Sequence, residues 1–448
     1  MDLASELREH VGDKYVLGSP DEKAPYLTDR SGRLTGAAQV VVLPGDTGEV
    51  AAAVACCERH GVSVVPQGGN TGLAGGGVPE SGSVVISLER LRDVAPVDPY
   101  TSTVIAGAGV TLAELDDHVG GAGLFFPIDH AARSAATVGG TIATNAGGAL
   151  AWRFGMARSC VVAVEVVLAG GRVLTGLDRP LKNNSGLDLT GLMCGSEGTL
   201  GVVTRARLRL VPASPRRVTA LLPLSALSEI AQVFAGLRDR CPSLLAVDFM
   251  SAEALDLVRS FADLPAAPFD APIYLCVECG AVEDPTDQLG AALSDLGLMK
   301  NAVAQDGEGR RRLWAYRELL NDAVTASGGH KMDIALPLTG LGDFLTAVND
   351  QVSEIAPSAR TVWFGHAGDG NVHLNVLDGH EHRDAIEERV YKKVAAAGGS
   401  ISAEHGIGRL KTRWLDLARS QEEIDAMRSI KQALDPHGMM NPGVMFTS

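Results

Sequence analysis

Three glycine-rich stretches constrain this chain most: PQGGNTGLAGGG at 66–77, TVGGTIATNAGG at 137–148 and GSEGTLG at 195–201. The first directly follows a strand-like run, VSVVP, so it exposes backbone amides with no side chain in the way. Such amides can form a nest for a bound anion. One loop of this kind alone reads first as an ordinary turn. The nearest approach to a dinucleotide fingerprint is GAGVTL at 107–112, where Leu112 stands in the place of the third glycine, so the nicotinamide reading loses ground.

Around these loops, helical and strand patterns alternate. A β-rich QVVVLPGD precedes a helical TGEVAAAVACCERHG that ends at Gly61, and further strands are predicted in SVVISL, STVIAGAG and CVVAVEVVLAGGRVL. The Gly170-Gly171 pair of the last suits a hairpin turn. The pattern predicts an α+β or α/β first domain. Pro212 and Pro215 mark a boundary, after which amphipathic helices again alternate with strands, and the helical tail SQEEIDAMRSIKQALDP stops at Pro436.

A length of 448 residues, 46% of them hydrophobic and 21% charged, suits a globular chain of two or three domains. The formal net charge of -15 works against nucleic acid and anionic membranes as general partners, so an anionic substrate needs a local Arg or Lys pocket. There is no apolar run of about 18 residues to cross a membrane. Asp2, Glu6 and Glu9 near the start fit neither a secretory nor a transit leader. The simplest expectation is a cytoplasmic protein, with a location peripheral to a membrane also open. Seven cysteines, an odd number, do not make a secreted disulfide framework. Cys276 and Cys279 fall in a strand-like PIYLCVECG on opposite faces, which reads as packing.

The sharpest chemical signal is Gly365-His366-Ala-Gly-Asp-Gly-Asn-Val-His373-Leu-Asn375. In an extended run His373 and Asn375 share a face, and the glycine-rich turn lets His366 fold back towards them. Glu404 and His405 in SAEHGIG offer a carboxylate and a further imidazole. Two imidazoles and a carboxylate suit zinc, manganese or iron. Two histidines alone read first as hydrogen-bonded core residues. Upstream, Arg317 and Asn321 are spaced to share a helix face and Lys331 follows; by spacing alone this is a solvated helix face.

Taken together, PQGGNTGLAGG, FPIDHAARSAATVGGTIATNAGG and KNNSGLDLTGLMCGSEGTLGVVT, in that order and spacing, resemble the vanillyl-alcohol oxidase (PCMH) type of FAD-binding domain. More narrowly, the chain is similar to the branch holding D-2-hydroxyglutarate dehydrogenase, D-lactate dehydrogenase and the glycolate oxidase subunit. The resemblance implies an α+β fold: an N-terminal segment at 1–35, an FAD-binding domain at 36–215, a substrate (cap) domain at 216–400 and a C-terminal helical segment at 401–448 that completes the active site. It implies non-covalent FAD, with Gly68, Gly69, Asn70, Thr71 and Gly72 at the pyrophosphate. Pro127, Asp129, Thr137, Gly140, Thr144, Gly147 and Gly148 would lie along the flavin and ribityl chain, and Glu197, Gly201 and Val203 at the adenosine end, with Asn441 also at the cofactor. Two departures stand out: Thr141 where the family often has Asn, and Val444 where NPG is usually followed by Lys.

The same resemblance implies His366, His373 and Glu404 as ligands of a divalent metal, zinc first and manganese second, and His405 as general base. Arg317, Asn321, Lys331 and Asn375 would bind a small anionic D-2-hydroxy acid, which is oxidised to the 2-oxo acid. The electron acceptor would be a quinone or an electron-transfer flavoprotein, and a homodimer is compatible with it. Two other readings stay open: a non-redox flavoenzyme of the same fold, like alkylglycerone-phosphate synthase, and an FAD-binding subunit of a glycolate-oxidase-type complex.

Overall fold

A computed structural model describes residues 1–130 and 132–446. The chain divides into two compact units. The first comprises Met1–Gly147, Phe154–Pro212 and the chain from Glu404 onward, and the second Gly148–Arg153 and Ala213–Ala403.

The first unit holds two four-stranded sheets. One is built from β1 (Val16–Leu17), β2 (Ala38–Val42), β3 (Val64–Gln67) and β4 (Ser83–Ser87) in the order β1-β2-β4-β3. Strands β2, β4 and β3 run parallel, and β1 closes the edge antiparallel. Parallel strands need a crossover, and the helix Thr47–Arg59 supplies it between β2 and β3. Asp46 starts that helix by accepting the Glu49 amide at 2.8 Å. All five residues of β4 are buried, as expected of a strand covered on both faces. The glycine loop 68–77 leaves the C-terminal end of β3, where Gln67 pairs with Ser87.

The other sheet is antiparallel, from β5 (Thr103–Gly107), β7 (Val161–Val167), β8 (Val173–Thr175) and β9 (Val202–Arg209) in the order β5-β9-β7-β8. The short β6 (Leu124–Phe125) and β10 (Val211–Pro212) pair with each other. Strands β7 and β8 form the expected hairpin, with Gly170 and Gly171 both at φ 76° in the turn. The helix Val138–Thr144 is capped by Thr137 and lies against β5: Gly139 N donates to Ala108 O at 2.9 Å, and a Cβ there would come within 2.7 Å of the Ala108 methyl.

The C-terminal segment returns to this unit as a structural member. Val64 N donates to Met439 O at 2.8 Å and Asn441 N to Val64 O at 2.7 Å, adding the tail beside β3. Lys431, on the helix Gln421–Leu434, donates to Thr199 O and Met440 O, each at 2.7 Å, and pairs with the buried Asp435.

The second unit is a seven-stranded antiparallel sheet, β14-β11-β13-β12-β16-β17-β15. Its strands are β11 (Arg216–Leu224), β12 (Leu244–Ser251), β13 (Ile273–Ala281), β14 (Ala302–Ala304), β15 (His330–Ala335), β16 (Arg360–His366) and β17 (Asn371–Leu377). Strand β13 contains Cys276 and Cys279, both fully buried as free thiols. The helices Ala252–Ala262, Gly307–Glu318 and Leu320–Ala326 contribute Leu255, Tyr316 and Leu320 to one core with Met250 and Phe364 of the sheet. The mixed α+β class expected from the sequence is what the structure shows.

Candidate active site

Within the first unit, the three glycine blocks meet. A Cβ on Gly69 would fall 1.7 Å from Ala135 O, and one on Gly68 would fall 2.4 Å from the Thr137 hydroxyl, so the first loop can reach the second block only as glycine. The five consecutive amides from Gly68 to Gly72 donate to no protein acceptor among the described residues. Asn70 sits at φ 52° with its side-chain amide tied to Thr28 O at 2.8 Å, which fixes the loop's curl. A cradle of unused donors of this kind fits a pyrophosphate. The buried Thr141 hydroxyl lacks a protein partner too, although it stands where a longer amide is usual.

The other residues expected at the cofactor divide by what they do in the fold. Thr137 caps its helix through Gly140 N, and Thr144 donates from its hydroxyl to Gly140 O at 3.0 Å. Asp129 is paired with Arg133 at 2.7 Å, Pro127 is buried, and Gly147 closes the block. Gly148 opens the second unit's short segment. Gly201 leads into β9 and Val203 lies in it: a Cβ on Gly201 would meet Val166 at 2.6 Å, and Val203 pairs with Val166 in the core. Glu197 and Asn441 form a clasp. The Glu197 carboxylate accepts the amides of Ile407 at 2.8 Å and Gly408 at 2.7 Å, while Asn441 Nδ2 donates to Glu197 O at 2.7 Å and Gly76 O at 2.9 Å. Burial pushes the Glu197 carboxyl above the usual carboxylate range, against the pull of those two amides and of Lys411. The buried Asn441 Oδ1 has no protein partner among the described residues, a second polar atom in this unit that a bound cofactor could satisfy.

In the second unit, the register of the central strands assembles a polar cluster. Asp248 lies opposite His366 across β12 and β16, His366 lies opposite Asn371 across β16 and β17, and Phe364 lies opposite His373. Asp333 lies opposite His373 and Lys331 opposite Asn375. Directly paired residues point to the same side of a sheet, so His366, His373 and Asn375 share one face with Asp248 and Asp333. The two imidazoles are 5.7 Å apart between ring centres, edge to face, and each offers a nitrogen within 4.8 Å of the other's.

A buried carboxylate turns the imidazole of His366, and a second lies near that of His373. His366 Nδ1 is 2.8 Å from Asp248 Oδ1, and His373 Nδ1 is 3.6 Å from Asp333 Oδ1. With its Nδ1 so engaged, His366 presents Nε2 for a ligand, the arrangement that orients metal-binding histidines. This donor chemistry fits a divalent metal such as zinc. Burial pushes the Asp248 carboxyl up, but the charges of His366 and Arg317 outweigh it and hold the group below the usual range. Asp333 also accepts Asn371 Nδ2 at 2.8 Å.

The expected substrate residues fall on the same face. Arg317 is buried, with Nε 2.8 Å from Asp248 Oδ2 and its guanidinium 4.6 Å above the Phe364 ring. It closes the helix Gly307–Glu318, whereas Asn321 belongs to the next helix, Leu320–Ala326; Leu319 separates them, so they do not share one helix. Lys331 Nζ donates to Asn321 O at 2.9 Å and to the Thr325 hydroxyl at 2.6 Å. Asn375 spends its amide hydrogens on Val362 O and His373 O, leaving its Oδ1 for any ligand. Glu404 and His405 begin the first unit's C-terminal segment, three residues before the amide at Ile407 that Glu197 grips. His130, in the same unit, is driven down to about 4 by burial and by the charge of His405.

Asp248 and Asp333 were not singled out from the sequence. The available signal was a lone carboxylate inside each apolar strand, LLAVDFM and HKMDIAL, because an unpaired charge is not left in a core.

The fold is that of the PCMH, or vanillyl-alcohol oxidase, type of flavoprotein. It is shared with p-cresol methylhydroxylase (TM-score 0.76, 15% identity, covering 98% of this chain and 95% of that one) and alkyldihydroxyacetonephosphate synthase (TM-score 0.75, 16% identity, 98% and 84%). Residues 38–176 match the profile of an FAD binding domain, and residues 213–445 match that of FAD linked oxidases, C-terminal domain. The chain belongs to the FAD-linked oxidase family, as its glycine blocks implied. It is 36% identical to a D-2-hydroxyglutarate dehydrogenase of Xanthomonas citri pv. viticola, over 98% of this chain and 96% of that one. It is also 36% identical to the mitochondrial D-2-hydroxyglutarate dehydrogenase of Bos taurus, over 97% and 81%. Among the described residues, no helix is long and apolar enough to cross a membrane.

Proposed function

We propose that this chain is an FAD-dependent dehydrogenase that oxidises a D-2-hydroxy acid of the 2-hydroxyglutarate or lactate class to the 2-oxo acid. A divalent metal, zinc before manganese, would be held by His366, His373 and Glu404. The observation that carries the metal is the buried Asp248 carboxylate 2.8 Å from Nδ1 of His366, which leaves Nε2 of that ring for a ligand. Relatives named D-2-hydroxyglutarate dehydrogenase, at 36% identity over nearly the full length, support the substrate class.

When bound, FAD supplies the hydride acceptor and the metal supplies Lewis acidity toward the substrate's hydroxyl and carboxylate oxygens. The chain's own residues supply position and proton transfer. Gly68, Gly69, Asn70, Thr71 and Gly72 hold the pyrophosphate through their amides, with Thr137, Gly140 and Thr144 on the neighbouring block. Arg317, tied to Asp248 through Nε, keeps its Nη groups for a substrate carboxylate. Lys331, steadied by Asn321 O and Thr325, provides a second positive charge, as a dicarboxylate such as 2-hydroxyglutarate would need. His405 takes the hydroxyl proton as the carbon-bound hydrogen leaves. A quinone or an electron-transfer flavoprotein then reoxidises the enzyme.

An anaerobic screen of D- and L-2-hydroxy acids, followed by flavin bleaching with and without a chelator, tests the reading. D-acids should bleach the flavin, and chelator should stop it. Bleaching that ignores chelator would remove the metal from the proposal. No bleaching by any hydroxy acid would favour the group-exchange or electron-passing readings instead.

A further inference from the structure

A second group of metal-ligand side chains lies in the first unit, on elements that the catalytic reading does not use. Glu6, Cys56 and His60 each offer one ligand atom, and the three atoms lie within 4.8 Å of one another. Cys56 falls in the last turn of the helix Thr47–Arg59, and His60 continues it at φ -86°, ψ -2°, so thiol and imidazole emerge one turn apart on one face. Glu6 comes from the N-terminal helix Leu3–Val11, whose Leu3, Leu7 and Val11 share a core with Val50, Val54 and Cys57. Glu6 Oε2 is 2.8 Å from His60 Nε2, and Arg59 pairs with Oε1.

We propose that Glu6, Cys56 and His60 form a zinc-class site that clamps the N-terminal helix to the helix Thr47–Arg59. Sulfur, imidazole nitrogen and carboxylate oxygen are the three donor types zinc accepts, and three protein ligands leave the fourth tetrahedral position to water. The ion replaces the proton shared between Oε2 and Nε2, and Oε1 keeps its contact with Arg59. Cys56 binds as thiolate, and its proton leaves to solvent. Ligation by the thiolate releases a proton, so binding tightens as pH rises. An ion bound only by the folded state stabilises it by mass action, and the N-terminal helix is the element that gains.

The test uses full-length, FAD-loaded protein stripped with chelator and titrated with zinc against a chromophoric competitor. Wild type is compared with Cys56→Ser and His60→Gln, the second being a partly exposed position that folding tolerates. Both variants should lose about one zinc equivalent with flavin absorbance unchanged, and zinc should raise the Tm of wild type by more than that of either variant, which keeps the His366 and His373 site. Cobalt in place of zinc should give intense d–d bands to the red of the flavin, absent from Cys56→Ser. Equal zinc stoichiometry in wild type and His60→Gln overturns the site.

Discussion

Asp248 Oδ1 lies 2.8 Å from Nδ1 of His366, and the other oxygen of that carboxylate lies 2.8 Å from Nε of Arg317. One buried carboxylate therefore sets the ring of a proposed metal ligand and the guanidinium of a proposed substrate clamp. Asp248→Asn keeps the shape and removes the charge that both lean on. Metal affinity should fall roughly 10- to 100-fold, the usual cost of losing the group behind a ligating histidine. KM for the hydroxy acid should rise with it. Metal analysis and steady-state kinetics read the two effects, and flavin content should stay at the wild-type level because Asp248 lies outside the FAD-binding unit.

His405 and His366 should separate by what they lose. His405→Ala should retain FAD and metal and lose at least 100-fold in flavin reduction rate, within the range for a missing general base. His366→Ala should retain FAD but lose the metal. Stopped-flow reduction and metal content on the same samples decide; normal reduction in both variants would refute the mechanism.

The glycines of the first loop are not equivalent. A Cβ on Gly69 would fall 1.7 Å from a backbone oxygen, whereas one on Gly72 meets nothing within 4 Å. Gly69→Ala must displace the Ala135 peptide and should cost at least about 2 kcal/mol with loss of bound FAD. Gly72→Ala should keep the wild-type Tm of the FAD-free protein. Flavin occupancy and thermal melts check the contrast.

Lys431 joins the C-terminal helix to Thr199 and Met440 and neutralises Asp435, whose side chain is wholly buried. Burial lowers the Lys431 ammonium's pKa, so the pair depends on close geometry. Lys431→Met leaves that carboxylate with only the amides of Met439 and Met440, and should destabilise the first unit by about 3–5 kcal/mol. A drop in Tm with faster FAD loss should follow, and the double substitution with Asp435→Asn should restore part of it.

Much of this was legible because it is local. A glycine block states its own backbone freedom, the Gly170-Gly171 hairpin states its turn, and the spacing of His373 and Asn375 states their common face. The alternation of helix and strand was equally plain, and so was the FAD-binding class that the three blocks define together. What the chain conceals depends on distance. Asp248 is 118 residues from His366, and Asn441 is 244 from Glu197. Linear spacing carries no sign of such pairs, since a lone aspartate in an apolar strand names no partner. The break at Leu319, which puts Arg317 and Asn321 on different helices, escaped the pattern too, because its backbone stays nearly helical. The sequence by itself determined which loops can approach a phosphate and which residues carry donor chemistry. Which carboxylate lies beside each imidazole was set by the fold, because strand register in an antiparallel sheet brings together residues that the chain order keeps apart.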